Sequence, residues 1–403
     1  MSTQTGTTRT RVNRHPLAVI FFTVFLDLVG FGIIIPLSPY LAREFGASAF
    51  EVGLLMAVYS GMQFLFSPFW GGISDRVGRR PVLLVSIAGT AIAHTLFYFA
   101  DHLWLLFAAR LLAGAFSANI STAMAYIADI TPAQDRSRNM GLIGAAFGLG
   151  FVLGPAIAGL LAHFGENFPA LAAAFLSLLN FTLAVFVLDE SLSEQSRRQR
   201  PRGSRLRSIA EKMQRPVVGS LLFAQFAIGL AMANMEASLF LYMQDRFGWG
   251  VRQSSYGFAY VGICIAFTQG YLVRKYLPSH GERRMLIIGF LFFICGMLFV
   301  GLSPWIWLLA LAMTALALGN GFINPAVSGS ISLLTPAHEQ GEVLGVNQSI
   351  AALARIIGPL MGGYIYDHVS RPSPFYVAAL MAAAGLAIVW RARAGLPQVG
   401  RDG

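Results

Sequence analysis

Apolar residues run along this chain in stretches of about 20, separated by short polar or basic segments, and a stretch of that length covers a hydrocarbon core of ~30 Å at 1.5 Å per residue. Twelve such stretches can be counted, near residues 17–41, 51–73, 82–100, 103–128, 140–163, 168–188, 217–241, 254–275, 285–302, 305–331, 344–366 and 374–391. The pattern predicts an all-α membrane protein with twelve transmembrane helices. Composition agrees: of 403 residues 56% are hydrophobic and only 12% charged, which fits water-soluble classes poorly.

The formal charge of +10 would draw attention to nucleic acid in a soluble protein, but here the placement of the basic residues assigns it to topology. With the N-terminus cytoplasmic, 23 Lys and Arg fall on that side, eight of them within 197–215, and only Arg43, Arg246, Arg252 and Arg371 fall on the other. Such asymmetry is what the positive-inside rule produces when both termini are cytoplasmic. It points to the inner (plasma) membrane, with the bilayer rather than nucleic acid as partner. Arg110 and Arg355 lie inside predicted spans. The first apolar run is too long for a secretory signal and lacks a small-residue cleavage site, so it is read as a retained helix. Cys264 and Cys295 both fall within spans and support neither a disulfide framework nor a metal site.

A polar, Arg-rich segment at 189–215 divides six spans from six. The predicted organisation is therefore a tail at 1–16, a six-helix bundle at 17–188, a linker at 189–215, a second bundle at 216–391 and a tail at 392–403. The halves repeat. Thr131-Pro132, Gly141, Gly154-Pro155 and Gly159 recur as Thr335-Pro336, Gly345, Gly358-Pro359 and Gly363, each displaced by 204 positions. The fourth and fifth spans thus match the tenth and eleventh, and two like-oriented, pseudo-symmetric halves imply a binding site between them near the bilayer midplane.

Several runs carry chemistry. Between the second and third spans stands Gly71-Gly72-Ile73-Ser74-Asp75-Arg76-Val77-Gly78-Arg79-Arg80-Pro81, where glycines permit a tight turn and Asp75 can face a helix N-terminus, whose dipole favours an anion. Arg110, with Gly114 four residues later, sits in the fourth span, and an arginine there is costly unless it faces a cavity or a partner. The fifth span reads Gly144, Gly148, Gly150, Gly154-Pro155 and Gly159, a small-residue surface that allows close helix approach, with a proline that can bend it. Asp27 lies about ten residues into the first span, roughly 15 Å from its start, and Glu236 lies in the seventh. A carboxyl held in low dielectric gives up its proton less readily than one in water, as a proton carrier requires.

Together these runs resemble the major facilitator superfamily. The loop at 71–81 resembles the superfamily's signature, which implies a cytoplasmic latch closing on the start of the eleventh span near 341–345. The glycines around Gly150, Gly154, Pro155 and Gly159 resemble the antiporter motif of drug/proton exporters, departing from it at Ala158. Asp27, with Pro36 downstream, resembles the first-span motif of the twelve-helix drug/proton antiporters. Ala125-Tyr126-Ile127-Ala128-Asp129-Ile130-Thr131, with Leu188-Asp189-Glu190-Ser191, brings the N-terminal half closest to their tetracycline/proton branch. That branch carries acids in its third and ninth spans, where this chain has His94 and no acid in 285–302, so tetracycline itself is not carried over as substrate.

The resemblance implies Asp27 and Arg110 in proton coupling or substrate binding, and Asp129 in the charge network around Arg76 and Arg79. Glu236 and Arg355 join the first pair as charges carried inside spans, where an acid can carry a proton and an arginine can tune it. His94 reads best as a hydrogen-bonded packing residue, and Phe21, Phe22, Phe25, Phe31, Tyr59 and Phe64 are candidate pocket aromatics. The expected activity is export of a small lipophilic compound in exchange for protons by a monomer, with protons as coupling ion and no other cofactor. An uptake symporter for a sugar or other metabolite is the alternative. No nucleophile–base pair, metal cluster or phosphate loop points to an enzyme.

Overall fold

The computed structural model describes residues 14–117, 119–132, 135–192, 211–336 and 339–396, so most of both tails and most of the linker lie outside the described residues. The N-terminal half comprises α1 (Arg14–Glu44), α2 (Ala49–Val77), α3 (Arg79–Tyr98), α4 (Leu103–Phe116), α5 (Asn119–Ile130), α6 (Arg136–Leu161) and α7 (Phe168–Val187). The C-terminal half comprises α8 (Pro216–Phe247), α9 (Val251–Phe267), α10 (Arg274–Leu302), α11 (Ile306–Leu333), α12 (Gln340–His368) and α13 (Ser373–Arg391), with a π-helical turn, Thr268–Val273, between α9 and α10. No strand occurs among the described residues.

Eleven of the described helical runs are long and apolar enough to cross a membrane. One of them, Val251–Leu302, has 52 residues, about 78 Å of helix and far more than a bilayer needs. Gly281 breaks it with φ 73° and ψ 164°. The break makes two passes of one run, and the total is twelve. A second departure from continuous helix falls in the fourth span. Ser117 turns its hydroxyl onto the Gly114 carbonyl at 2.8 Å, α4 ends, and helix resumes at Asn119. Ser competes for backbone partners in this way wherever a helix is marginal.

The sequence repeat is a packing repeat. A Cβ on Gly154 of α6 would stand 2.7 Å from the Val29 carbonyl of α1, and one on Gly358 of α12 would stand 2.6 Å from the Ala233 Cβ of α8. Glycines 204 positions apart thus seat the fifth span on the first and the eleventh on the seventh. Four residues on or near these helices then meet the opposite half. Gly159 abuts the Tyr256 ring of α9, Gly262 of α9 faces the Phe151 carbonyl, Gly363 abuts the Ala49 carbonyl of α2, and Gly53 of α2 faces the Pro359 carbonyl.

Nearer the other ends of the same helices the contact is gone. Gly141, Gly144 and Gly148 on α6, Gly345 on α12, Gly61 and Gly71 on α2, and Gly270 have nothing within 4 Å of where a Cβ would stand. The halves therefore touch at one end and splay apart toward the end where α1, α6, α8 and α12 begin. The hydrophobic core has the same shape. One cluster joins Ile34, Leu37 and Leu55 with Leu239, Phe240 and Met243, while a second, around Ile20, Leu83 and Tyr126, belongs to the N-terminal half alone. Trp104, Trp305 and Trp307 stand exposed near the closed end, where amphipathic rings suit a membrane–water interface.

Candidate functional site

The closed end is held by polar contacts between the halves. Arg43 Nη2, at the end of α1, donates to Asp245 Oδ2 at 3.0 Å, and the Tyr366 hydroxyl of α12 donates to the same oxygen at 2.8 Å. Arg371 lies 3.3 Å from it. Asp367 accepts from the Ala49 and Phe50 amides at 3.1 and 2.8 Å, so a carboxylate from one half caps the first turn of α2 in the other. The repeat-equivalent residue, His163 at the end of α6, meets Arg252 in the first turn of α9 at 3.3 Å. Tyr40 donates to the Phe240 carbonyl at 3.3 Å and also contacts Ser254.

Just inside this closure an aromatic chain crosses from half to half. Tyr59 stacks on Phe31 at 5.2 Å, Phe31 meets Phe151, Phe151 meets Phe258 of α9, and Phe258 meets Phe240 of α8. Of the six aromatics singled out in the sequence, Phe31 and Tyr59 belong to this roof. Phe22 is exposed on the outer surface, and Phe21 and Phe25 stack on each other.

Four charged residues gather beneath the roof. α1 packs on α6 through Leu28, Val29 and Gly32, which face Gly150 and Gly154, and this leaves Asp27 and Phe31, one turn apart, on the side away from that seam. Asp27 lies beside Asn119, the first residue of α5. Asp27 Oδ1 and both side-chain polar atoms of Asn119 are sealed from solvent with no hydrogen-bond partner among the described residues. On α4, Gly114 brings the backbone against α2, its Cβ position 2.4 Å from the Tyr59 carbonyl. Arg110, one turn earlier, consequently lies over the Tyr59 ring, 4.5 Å from its centroid, buried and with Nε unpartnered.

Glu236 on α8 is acted on by the charges of Arg355 and Arg110, though neither comes within ion-pair distance among the described residues. Arg355 on α12 is exposed and interacts electrostatically with Tyr59 and Glu236. Tyr59 is the hub, feeling Arg110, Asp27 and Arg355 together. The four residues named from sequence thus converge on one site. Tyr59 as the seat of Arg110, and Asn119 as the neighbour of Asp27, were not legible as such. An amide inside an apolar span was the available signal for Asn119.

The signature loop lies at the open end, and among the described residues its charges are paired within the N-terminal half. Arg79 donates to Asp75 at 2.6 Å, to Asp129 at 2.9 Å and to the Ser74 hydroxyl at 3.0 Å. Ser191 also donates to Asp129, and Arg76 is exposed. The position expected for Asp75, facing a helix N-terminus, is taken at α3 by Glu190, which accepts from the Arg79 and Arg80 amides at 2.8 and 3.2 Å. Gly78 makes room for it. Its φ is 122°, and a Cβ there would lie 2.2 Å from Glu190 Oε2. Arg80 donates to the Val185 carbonyl. His94 is buried, bonded to Ser177 at 2.9 Å and packed against Gly30 of α1, and the charge of Arg110 acts on it.

Twelve passes in two repeated halves, closed at one end over a charged centre and open at the other, make a multi-pass membrane transporter rather than an enzyme. Residues 20–280 and 270–401 match the Major Facilitator Superfamily. The class B tetracycline resistance protein of Escherichia coli is 33% identical over 350 residues, covering 85% of this chain and 86% of that protein. Multidrug resistance protein 2 of Bacillus subtilis (strain 168) is 27% identical over 383 residues, covering 93% and 94%. The crystal structure of the human organic anion transporter MFSD10 (TETRAN) shares the fold, with a TM-score of 0.71 at 23% identity over 93% of this chain and 99% of that one. The chain belongs to the major facilitator superfamily.

Proposed function

We propose that this transporter exports a small lipophilic drug-like compound in exchange for protons, by alternating access to one central site. Relatives named for tetracycline resistance and multidrug resistance support the substrate side of the reading. Asp27 carries the coupling side. It is a carboxyl under the roof of the vestibule with one oxygen unpartnered, and its side-chain neighbour is an amide rather than a cation. Glu236, by contrast, has two guanidiniums acting on it. An acid left without a fixed counter-charge is the one whose proton can be exchanged for a substrate.

In this reading both termini and the linker are cytoplasmic, so the closed end is external and the conformation faces inward. The protein works as a monomer with protons as its coupling ion. External protons reach Asp27 when the outer contacts part, and the substrate reaches it from the cytoplasm or inner leaflet. The latch at Asp75, Arg79 and Arg80 holds the outward-facing state, when α2 and α12 come together at their inner ends. Gly150, Gly154, Pro155 and Gly159 let α6 keep its seat on α1 while it moves against α9.

Export measured in proteoliposomes under an imposed pH gradient tests this. Wild-type protein is expected to accumulate drug only while the gradient stands, and Asp27→Asn is expected to abolish gradient-driven export while retaining gradient-independent exchange. Undiminished uphill export after the gradient is collapsed, with no other gradient present, would overturn the coupling.

A further inference from the structure

On one side of the open vestibule, α6 presents Gly141, Gly144 and Gly148, bare backbone with nothing within 4 Å of a Cβ, and the stripe ends one turn higher at Phe151. On the other side, α12 presents the positions 204 further on: Gly345, Gln348, Ala352 and, at the top, Arg355. The repeat therefore ends in an aromatic ring on one wall and a guanidinium on the other. Phe151 is spent in the roof, against Phe31 and Phe258. Arg355 is exposed, with no hydrogen bond or ion pair among the described residues.

The charges around it are not interchangeable. Arg110 is buried over Tyr59. Glu236 has Arg110 and Arg355 acting on it, so that trio carries one positive charge beyond what Glu236 neutralises, and ionised Asp27 balances it from α1. The site is then neutral overall but polar, negative at Asp27 and positive at Arg355. A plain cation would leave Arg355 unmatched, and a plain anion would add to the charge of Asp27. An anion would also favour protonated Asp27, which is the linkage of co-transport and not of exchange.

We infer that the transported compound is a zwitterion, an aromatic or otherwise apolar body bearing a basic amine that seats at Asp27 and an acidic oxygen group that seats at Arg355. The inference rests on the export reading above. The amine and the proton compete for one carboxylate, which makes the exchange obligatory. The acidic oxygen takes a charge-assisted bond from Arg355, and the apolar body lies along the side-chain-free face of α6 beneath Phe31 and Phe151. When an external proton occupies Asp27, the site gains one positive charge and expels the amine.

A naphthalene carrying an aminomethyl group and a carboxylate tests this, compared with its primary amide, its N-acetyl derivative and the doubly blocked compound. Binding is measured by equilibrium dialysis on purified protein in nanodiscs, with proton release followed in weak buffer. The zwitterion is expected to bind about tenfold or more tightly than any blocked form, the yield of a charge-assisted hydrogen bond. Arg355→Gln is expected to erase the advantage of the carboxylate and leave that of the amine, with Arg355→Lys retaining part of it. Asp27→Asn is expected to erase the advantage of the amine together with proton release. Equal binding of the doubly blocked compound, binding of none of the four, or an equal loss across all four in Arg355→Gln would overturn the assignment. Failure of proton coupling would show instead in the gradient-collapse experiment, whichever compounds bind.

Discussion

At the scale of single residues, two glycines of the signature loop illustrate how differently one residue type can act. Gly78 holds a positive φ and lies where any Cβ would strike Glu190, so backbone and space both demand glycine. Gly71 is inside α2 with nothing within 4 Å. Gly78→Ala is expected to lower folding stability by about 1–3 kcal/mol, the range for a non-glycine residue held in such a conformation. Gly71→Ala is expected to raise it by up to about 1 kcal/mol through helix propensity. Thermal unfolding of the detergent-solubilised variants checks both signs, and a stable Gly78→Ala would refute the role given to Glu190. The buried atoms without partners at Asp27, Asn119 and Arg110 belong to the same scale. Each such atom costs roughly 1–3 kcal/mol when left unsatisfied, a cost borne at a site that must accept something.

At the scale of elements, α8 begins where the chain returns from the linker, and the start of α12 is joined to that point. Glu339, the residue before α12, accepts from Arg215 at 2.6 Å and from Lys212 at 3.2 Å. The hydrogen bonds from Arg215 and then Lys212 hold its carboxyl below the ordinary value of 4.5. The lowered value sets the sign: the contact stabilises fully above pH 4.5 and is lost as pH falls through the lower folded-state value. Wild type is therefore expected to melt above Glu339→Gln at neutral pH, with the gap narrowing only below 4.5. A gap that narrows between pH 8 and 6 would assign it to other groups.

At the scale of the whole molecule, the contacts at the closed end and the gap at the open end are two sides of one equilibrium. Removing both acceptor oxygens in Asp367→Ala takes the cross-interface acceptor from the Ala49 and Phe50 amides while Ser48 still caps Glu51. Loss of such a capping contact is worth about 1 kcal/mol, roughly a fivefold shift in the ratio of two states. Spin labels report it on a background without Cys264 and Cys295. Val77 and Leu333 are exposed where α2 and α11 finish, at the open end, and Asp101 and Trp305 lie at the closed end of the two halves. In Asp367→Ala the open-end pair is expected to shorten and the closed-end pair to lengthen. Unchanged distances in both pairs would show that Asp367 holds a loop rather than a gate.

The sequence by itself determined the solvent, the number of passes, the two repeated halves and the types of residue that carry charge into the membrane. These follow from the length of apolar runs, from where Arg and Lys are tolerated, and from a constant displacement of 204, all of which are properties of position along the chain. His94 as a packing residue was legible too, and Ser177 and Gly30 surround it. Tertiary structure alone decided which acid has counter-charges, because Asp27 and Glu236 lie in different halves and their neighbours come from α4, α5 and α12. It also decided that Glu190 rather than Asp75 faces the start of α3, since Glu190 lies 111 residues away along the chain. The contacts at the closed end were illegible for the same reason. Arg43, Asp245 and Asp367 read as ordinary polar loop ends until folding brings them together, and the free energy of such contacts depends on distance in space, which position along the sequence does not encode.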